Sequence, residues 1–520
     1  VYYGCQVIFR TSNEGQTWNV ISPDLSTQDP TRIVSSGGVV GDNLGQFYGE
    51  VVFAIAPSEM QKGLIWAGTN DGKLWNTTDA GAHWNDVTKN LTGLPTWGTI
   101  RKIEPSHFDA QTAYVAIDFH MMDNRAPYLF KTTDLGKTWK SVNGNLPTGH
   151  PLDYTLAITE NPNRKGMLFV GTGHGFYYST DDGAHWTPFK EGLPAAPVTW
   201  VTVAAAQHDV VVSTYGRGLF VLSDITRLEQ ADEAAAASGA FLYAPRVGFR
   251  QSQGGSADFL FSTKSEGKVT FEILSENDAV LRTIETTAQT GLNRQAWDLR
   301  YDGPKRVELR TTPPDNPHIW EEPRFKGKQT RPIVHWGIEQ AAGVGPLASP
   351  GRYKVRMTAG GQSVTRPFEV RRDPALPSSD ADLTASTAMQ LRIRDAMNQS
   401  VEMINAIEVA RKKIEDELKT AKGTPAEKLL NEKDQAMMAV EMRLLSRTDL
   451  HSDDKWYVEA YKIYMNLVWL NGVVGTGAGD VAGGADYRPT DASVQVMAML
   501  EKDLAAARAA FGALQLTAGK

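Results

Sequence analysis

Two carboxylates, Asp118 and Asp123, lie in the polar stretch Ala116-Ile117-Asp118-Phe119-His120-Met121-Met122-Asp123-Asn124-Arg125. Glycoside hydrolysis needs two carboxylates about 5–10 Å apart, one of them a general acid. On that reading Asp118 and Asp123 are the catalytic candidates, with His120 and Arg125 as ligand-binding company. The competing reading is structural, with Asp118 and Arg125 paired to hold the loop. Trp97, in Pro95-Thr96-Trp97-Gly98, and Trp200 are candidates for stacking on a ligand. Tyr215 and Arg217, in Ser213-Thr214-Tyr215-Gly216-Arg217-Gly218, are candidates for a central channel, although an arginine so placed also ties neighbouring elements together. The Asn70-Asp71-Gly72 turn offers oxygen donors for Ca²⁺, the one cofactor the sequence raises, against the plainer reading of a hairpin turn. There is no His-x-x-x-His spacing, no Gly-x-Ser-x-Gly and no phosphate loop, so no metal set is expected.

The elements that position these residues are announced by a repeat. Four segments share Ser/Thr-x-Asp-x-Gly-x-x-Trp: Thr11 to Trp18, Thr77 to Trp84, Thr132 to Trp139 and Ser179 to Trp186. Their key residues are Asn13, Gly15 and Trp18; Asp79, Gly81 and Trp84; Asp134, Gly136 and Trp139; and Asp181, Gly183 and Trp186. The glycines are 66, 55 and 47 residues apart. A four-stranded propeller blade takes about 40–50 residues, and longer gaps imply inserted loops. The pattern has a mechanical reading. The carboxylate accepts hydrogen bonds from backbone N–H groups of its own turn. Glycine supplies a positive φ. The tryptophan packs beneath the hairpin. Asn13 replaces the aspartate in the first copy, and an amide oxygen serves the same turn. His83 and His185 recur at one place in two copies and read as surface hairpin residues.

Strand patterns precede each repeat, as in Leu64-Ile65-Trp66-Ala67-Gly68-Thr69 and Met167-Leu168-Phe169-Val170-Gly171-Thr172. The first blade reads without a first strand, and the last, from Trp200 to Leu222, without a fourth. The expectation is therefore an incomplete propeller over residues 1–224, completed by N-terminal blades that precede Val1 or by a partner chain, and compatible with an oligomer. The start at Val1 instead of Met points to a mature or truncated chain.

The four repeats, the Ser213 to Gly218 exit and the insertion around Asp118-Phe119-His120 together resemble the bacterial BNR/Asp-box repeat proteins. These are labelled sortilin/Vps10-like or glycosyl hydrolase, and similar propellers occur in sialidases and in two-propeller xyloglucanases. The resemblance covers residues 1–224, and the remainder is similar to the C-terminal part of large exported members. It implies further N-terminal blades and an exported, periplasmic or extracellular protein. In this group the repeat marks the fold and not the activity. The arginine trio and Tyr/Glu pair of a sialidase are not assembled here.

Beyond the propeller, residues 225–255 read as a linker, Ala-rich at 231–240. Short alternating strands over 256–375 read as an immunoglobulin-like β-sandwich interrupted at 303–346 by a polar, Pro-rich insertion carrying Trp320 and Trp336. From about residue 380 the hydrophobic period changes from two to 3.6. Helices are expected at 381–422, 425–447, 453–470 and 490–514, with a Gly-rich loop at 472–484, as a helical bundle over 376–520. The fold class is thus mainly β and multidomain. A net charge of −7 argues against a nucleic-acid binder. No apolar run reaches the roughly 20 residues that span a bilayer. Cys5, the only cysteine, excludes an intrachain disulfide. Three functions follow: a non-catalytic exported binder of a polysaccharide or protein, a glycoside hydrolase on a β-glucan-type polysaccharide, and a sortilin-like peptide binder.

Overall fold

The computed structural model describes residues 1–30, 50–190, 192–334, 340–452, 459–478 and 481–515. The chain divides into two compact units, Val1–Ala235 and Ala236–Lys520.

The first unit consists of five antiparallel sheets, I to V in chain order. Sheet II (Val52–Pro57, Ile65–Thr69, Leu74–Thr77, Asn85–Asp86), sheet III (Thr99–Pro105, Ala113–Asp118, Tyr128–Thr132, Lys140–Ser141) and sheet IV (Thr155–Glu160, Leu168–Thr172, Phe176–Ser179, Thr187–Phe189) each pair four strands in sequence order. Sheet I (Tyr2–Gly4, Ile8–Arg10, Asn19–Val20) and sheet V (Val198–Ala204, Asp209–Thr214, Gly218–Leu222) have three. Among the described residues no strand pairing joins sheet I to sheet V.

The sheets stack because their second strands are apolar on both faces. In Ala113–Asp118, the side chains of Ala113, Val115 and Ile117 join Trp66 and Leu74 of sheet II. The alternate residues Tyr114 and Ala116 join Ile158, Leu168 and Val170 of sheet IV. Sheet IV repeats the device: Phe169 turns the other way and packs with Val201 and Val212 of sheet V. The Gly-Thr pairs that end two of these strands let the next sheet close in. A Cβ on Gly68 would lie 2.3 Å from Ile100 Cγ2, and one on Gly171 would lie 2.3 Å from the Val198 carbonyl oxygen.

The Ser/Thr-x-Asp-x-Gly-x-x-Trp turns lie between third and fourth strands. In the third copy, Asp134 Oδ1 accepts from Thr138 N at 2.9 Å and from Thr132 Oγ1 at 2.8 Å. Thr132 Oγ1 in turn accepts from Gly136 N at 2.9 Å. The glycines sit at φ of 81–101° in the second to fourth copies. The tryptophans reach further than their own hairpin. Trp84 Nε1 donates to Ile21 O of sheet I at 2.8 Å, and Trp186 Nε1 to Val142 O of sheet III at 2.9 Å. In these two copies the turn thus clamps the residue that follows the last strand of the preceding sheet, whereas Trp139 Nε1 is buried with no hydrogen-bond partner among the described residues. Trp18, in sheet I, is 44% exposed.

In the second unit, strands Phe241–Leu242, Gly254–Thr263 and Gly291–Trp297 pair together. Gly248–Gln251, Gln362–Arg372, Gly351–Ala359, Gly267–Ser275 and Val280–Ala288 pair in that order. The long strand Gly254–Thr263 belongs to both groups, and one core holds Phe259, Phe261, Phe271, Trp297 and Val355. The stretch 225–255 expected as a linker holds the division between the two units, at Ala235–Ala236, and carries secondary structure of its own. It forms helices Thr226–Glu229 and Ala231–Ala236 and strands Phe241–Leu242 and Gly248–Gln251. Alanine-rich composition here serves helix propensity, and Leu242 is fully buried in the strand core.

The insertion 303–346 runs along the helix Asp380–Ala421, whose side chains catch its backbone. Lys305 N donates to Asn398, Glu308 N to Asn405, Thr311 N to Glu408 and Thr312 N to Glu415. Trp336 lies outside the described residues. The helices Asp380–Ala421, Pro425–Leu444, Ile463–Val474 and Asp491–Ala513 share one apolar core. The helix expected at 453–470 begins instead at Ile463, and residues 453–458 lie outside the described residues. A short helix, Arg447–His451, precedes it. The Gly-rich stretch expected from 472 is helical to Val474.

Candidate functional site

Strand registers place the turn between second and third strands at the end of each sheet opposite the tryptophan-bearing turn. Thr69, Asp118 and Thr172 pair with Val52, Thr99 and Thr155 there. Contacts between neighbouring sheets join these ends: Thr99 Oγ1 donates to Asn70 O at 3.1 Å, and the His120 ring stacks on Tyr154 at 4.4 Å.

Asp118 ends its strand and is 4% exposed. Its Oδ2 accepts from Arg101 Nε at 3.0 Å, and its Oδ1 from His120 N at 2.9 Å. His120 Nδ1 lies 2.7 Å from both oxygens, so that nitrogen carries the proton. Burial, then the Asp118 charge, raises the Tyr154 phenol above its ordinary value against Arg101 and Arg125. Asp123 stands on a left-handed residue at φ 58°, with its side chain fully in solvent 3.7 Å from Arg125 Nη2. Arg125 Nη1 donates to Pro151 O at 3.3 Å. The expected Asp118–Arg125 pair is therefore replaced by Asp118–Arg101 and Asp123–Arg125, because Arg101 lies on the strand paired with that of Asp118.

The other candidates are scattered. Trp97, at φ 66°, lines a cavity of about 280 Å³ between sheets II and III together with Asp71, Leu94 and Phe119. Trp200 is half exposed, and the buried Lys102 Nζ sits 4.4 Å from its ring centroid. Burial lowers the Lys102 ammonium against the pull of Glu104. Tyr215 and Arg217 stand exposed on the corresponding turn of sheet V. Among the described residues no hydrogen bond or ring contact joins them to the Asp118 group. In the Asn70-Asp71-Gly72 turn, Asp71 Oδ2 accepts from Thr27 N and Oγ1, both at 2.8 Å, and Asn70 Oδ1 accepts from Val51 N. Asn70 and one Asp71 oxygen thus serve the fold, while Asp71 Oδ1 is buried with no hydrogen-bond partner among the described residues.

Sequence reasoning missed Arg101, Tyr154 and a second cluster, His150, Asp153 and His174, whose ligand atoms lie within 4.8 Å of one another. Comparing repeats offers a signal for it. His174 in Gly171-Thr172-Gly173-His174-Gly175 occupies the place of Asp71 in Gly68-Thr69-Asn70-Asp71-Gly72. Asp153 stands two residues before Thr155, as Glu50 stands two before Val52. In sheet II both positions are acidic, and burial together with Asp71 raises the Glu50 carboxyl. Sheet IV has histidine at one of them.

No family model matches the chain. A xyloglucanase of Paenibacillus sp is 26% identical over 177 residues, 32% of this chain and 16% of that protein. A probable oligoxyloglucan-reducing end-specific xyloglucanase of Neosartorya fischeri is 34% identical over 83 residues, 15% of this chain and 9% of that one. The chain thus spans less than a fifth of the length of these relatives. Among solved structures, the GH74 xyloglucanase of Xanthomonas campestris aligns with 61% of this chain and 45% of that chain, at 14% identity and a TM-score of 0.26. The chain resembles xyloglucanases in sequence over part of its length.

Proposed function

We propose that the sheet-end surface around Asp118 binds a polysaccharide without cleaving it, in an exported xyloglucanase-like propeller. The observation that carries this reading is the commitment of Asp118. Both oxygens accept hydrogen bonds from Arg101 and His120, and the carboxyl is buried. A general acid or nucleophile must present an oxygen to the sugar, whereas a carboxylate so held orients its partners. What remains for a ligand is the partly exposed His120 ring, backed by the buried Tyr154 ring 4.4 Å beneath it, with Arg125 nearby. The second unit, read as an immunoglobulin-like sandwich with a helical bundle, is then an accessory region. No helix among the described residues is long and apolar enough to cross a membrane.

Affinity electrophoresis of the full chain against xyloglucan and other β-glucans, with reducing ends assayed in parallel, tests this. Retention without new reducing ends is expected. His120→Ala should weaken retention by about tenfold, the loss of about 1.4 kcal/mol. The similarity to xyloglucanases favours a second reading, hydrolysis. It takes over if reducing ends appear and Asp118→Asn and Asp123→Asn each abolish them while binding persists.

A further inference from the structure

A different group in the first unit carries an inference that does not depend on glycan binding. Asp153 is 1% exposed, and its Oδ1 is buried with no hydrogen-bond partner. A buried carboxylate oxygen left unpaired is costly. The group facing it is His174 Nε2, 3.8 Å away, too far for a hydrogen bond. The His174 ring is oriented from its other side, where Nδ1 lies 2.8 Å from Leu152 O and must donate to it. That fixes the tautomer with the Nε2 lone pair turned toward Asp153, the arrangement in which a carbonyl orients a metal-ligating histidine. The second Asp153 oxygen is held by His150 N at 2.7 Å, so the carboxylate cannot swing away. The His150 ring is exposed and sits 4.6 Å from that of His174.

We propose that His150, Asp153 and His174 bind a divalent first-row transition metal ion, of which Zn²⁺ is the representative, through two imidazole nitrogens and one carboxylate oxygen. Imidazole nitrogens select this class over Ca²⁺, which takes oxygen ligands. Metal–ligand bonds of about 2.0–2.2 Å separate two ligands across one ion by up to about 4 Å. The closing movement is therefore small, and it falls on His150. The Nδ1 of His150 accepts from Leu152 N at 3.2 Å, a long contact that rotation of an exposed ring releases. Three protein ligands on a solvent-facing rim leave the ion an open position.

The test uses the full chain, stripped with chelator and titrated with Zn²⁺ by calorimetry and with Co²⁺ by visible absorption. One equivalent of Zn²⁺ should bind, Co²⁺ should develop ligand-field bands, and Ca²⁺ should give no heat. His174→Ala should weaken Zn²⁺ by about 100-fold or more, the upper end of what even outer partners of a metal site cost. His150→Ala, at an exposed position, gives the same loss without threatening the fold. Adventitious binding to the exposed His83 and His185 would survive both substitutions and disappear in His83→Ala/His185→Ala, and that result overturns the proposal. So does the absence of a stoichiometric site in the unaltered protein, which would mean that His174 simply pairs with Asp153 when protonated.

Discussion

At the scale of the residue, the repeated turn rests on a hydroxyl that the repeat pattern makes look secondary. Thr132 is 1% exposed, and its Oγ1 both accepts the Gly136 N–H and donates to Asp134. Thr77 and Ser179 hold the same two contacts in their own copies. Asp134 by contrast reaches into solvent. Thr132→Val keeps the shape and leaves the Gly136 N–H buried and unpaired, which should cost about 1–3 kcal/mol. Asp134→Asn keeps an acceptor, as Asn13 does in the first copy, where its Oδ1 accepts Thr17 N at 3.0 Å. That change should stay within about 0.5 kcal/mol. Urea midpoints of the two variants, followed by tryptophan fluorescence, decide the point, and equal midpoints would show that the hydroxyl is not the hub. The turn itself is legible in sequence because its contacts span four residues. The Asp118–Arg101 pair is not, since the two residues meet only through strand register. The approach of His174 to Asp153 is hidden for the same reason until the repeats are aligned.

At the scale of the element, the sheets were foreseen because strands apolar at consecutive positions have few other homes. What period-two patterning does not show is how close two sheets come. That information lies in single glycines. The Gly171 backbone leaves no room for a methyl group beside the Val198 carbonyl oxygen, and a backbone atom cannot rotate aside. Gly171→Ala should therefore separate sheets IV and V and cost about 1–3 kcal/mol. The same change at Gly192, where a Cβ would meet nothing within 4 Å, serves as a control for glycine entropy, although its φ of 76° adds some strain. Thermal melts in which Gly171→Ala falls no further than Gly192→Ala would contradict this account of the interface. The linker expectation covers the division between the units at Ala235–Ala236 but not the short elements around it. Alanine enrichment was read as lack of structure, whereas alanine is the strongest helix former. The insertion at 303–346 packs along a helix that its own composition does not name. Its partner is set by Asn398, Asn405, Glu408 and Glu415, which recur along one side of a 42-residue helix.

At the scale of the whole molecule, the helical core carries charge that composition does not reveal. Glu408 and Glu441 are both fully buried, and Arg411 lies between them and Asp434. Arg331, also buried, acts on both glutamates from the insertion. Three carboxylates thus face two guanidinium groups, a surplus negative charge at a site where only Asp434 among the three reaches water. One proton retained on a carboxyl removes it. Burial first, and Glu408 next, push Glu441 up to about 8 from an ordinary 4.5, against the attraction of Arg411. The consequence has a definite sign. Below pH 4.5 the carboxyl is protonated whether the chain is folded or not, and its contribution to stability is fully present. Between 4.5 and 8 only the folded chain holds the proton, so raising the pH draws the equilibrium toward unfolding. The contribution is gone once the pH has passed through the folded value near 8. Glu441→Gln keeps the shape and the neutral state at every pH. Its melting temperature should match that of the unaltered protein near pH 5 and exceed it above pH 8, with a flatter profile between. Parallel profiles across that range would mean that Glu441 is ionised in the folded state, its charge held by Arg411.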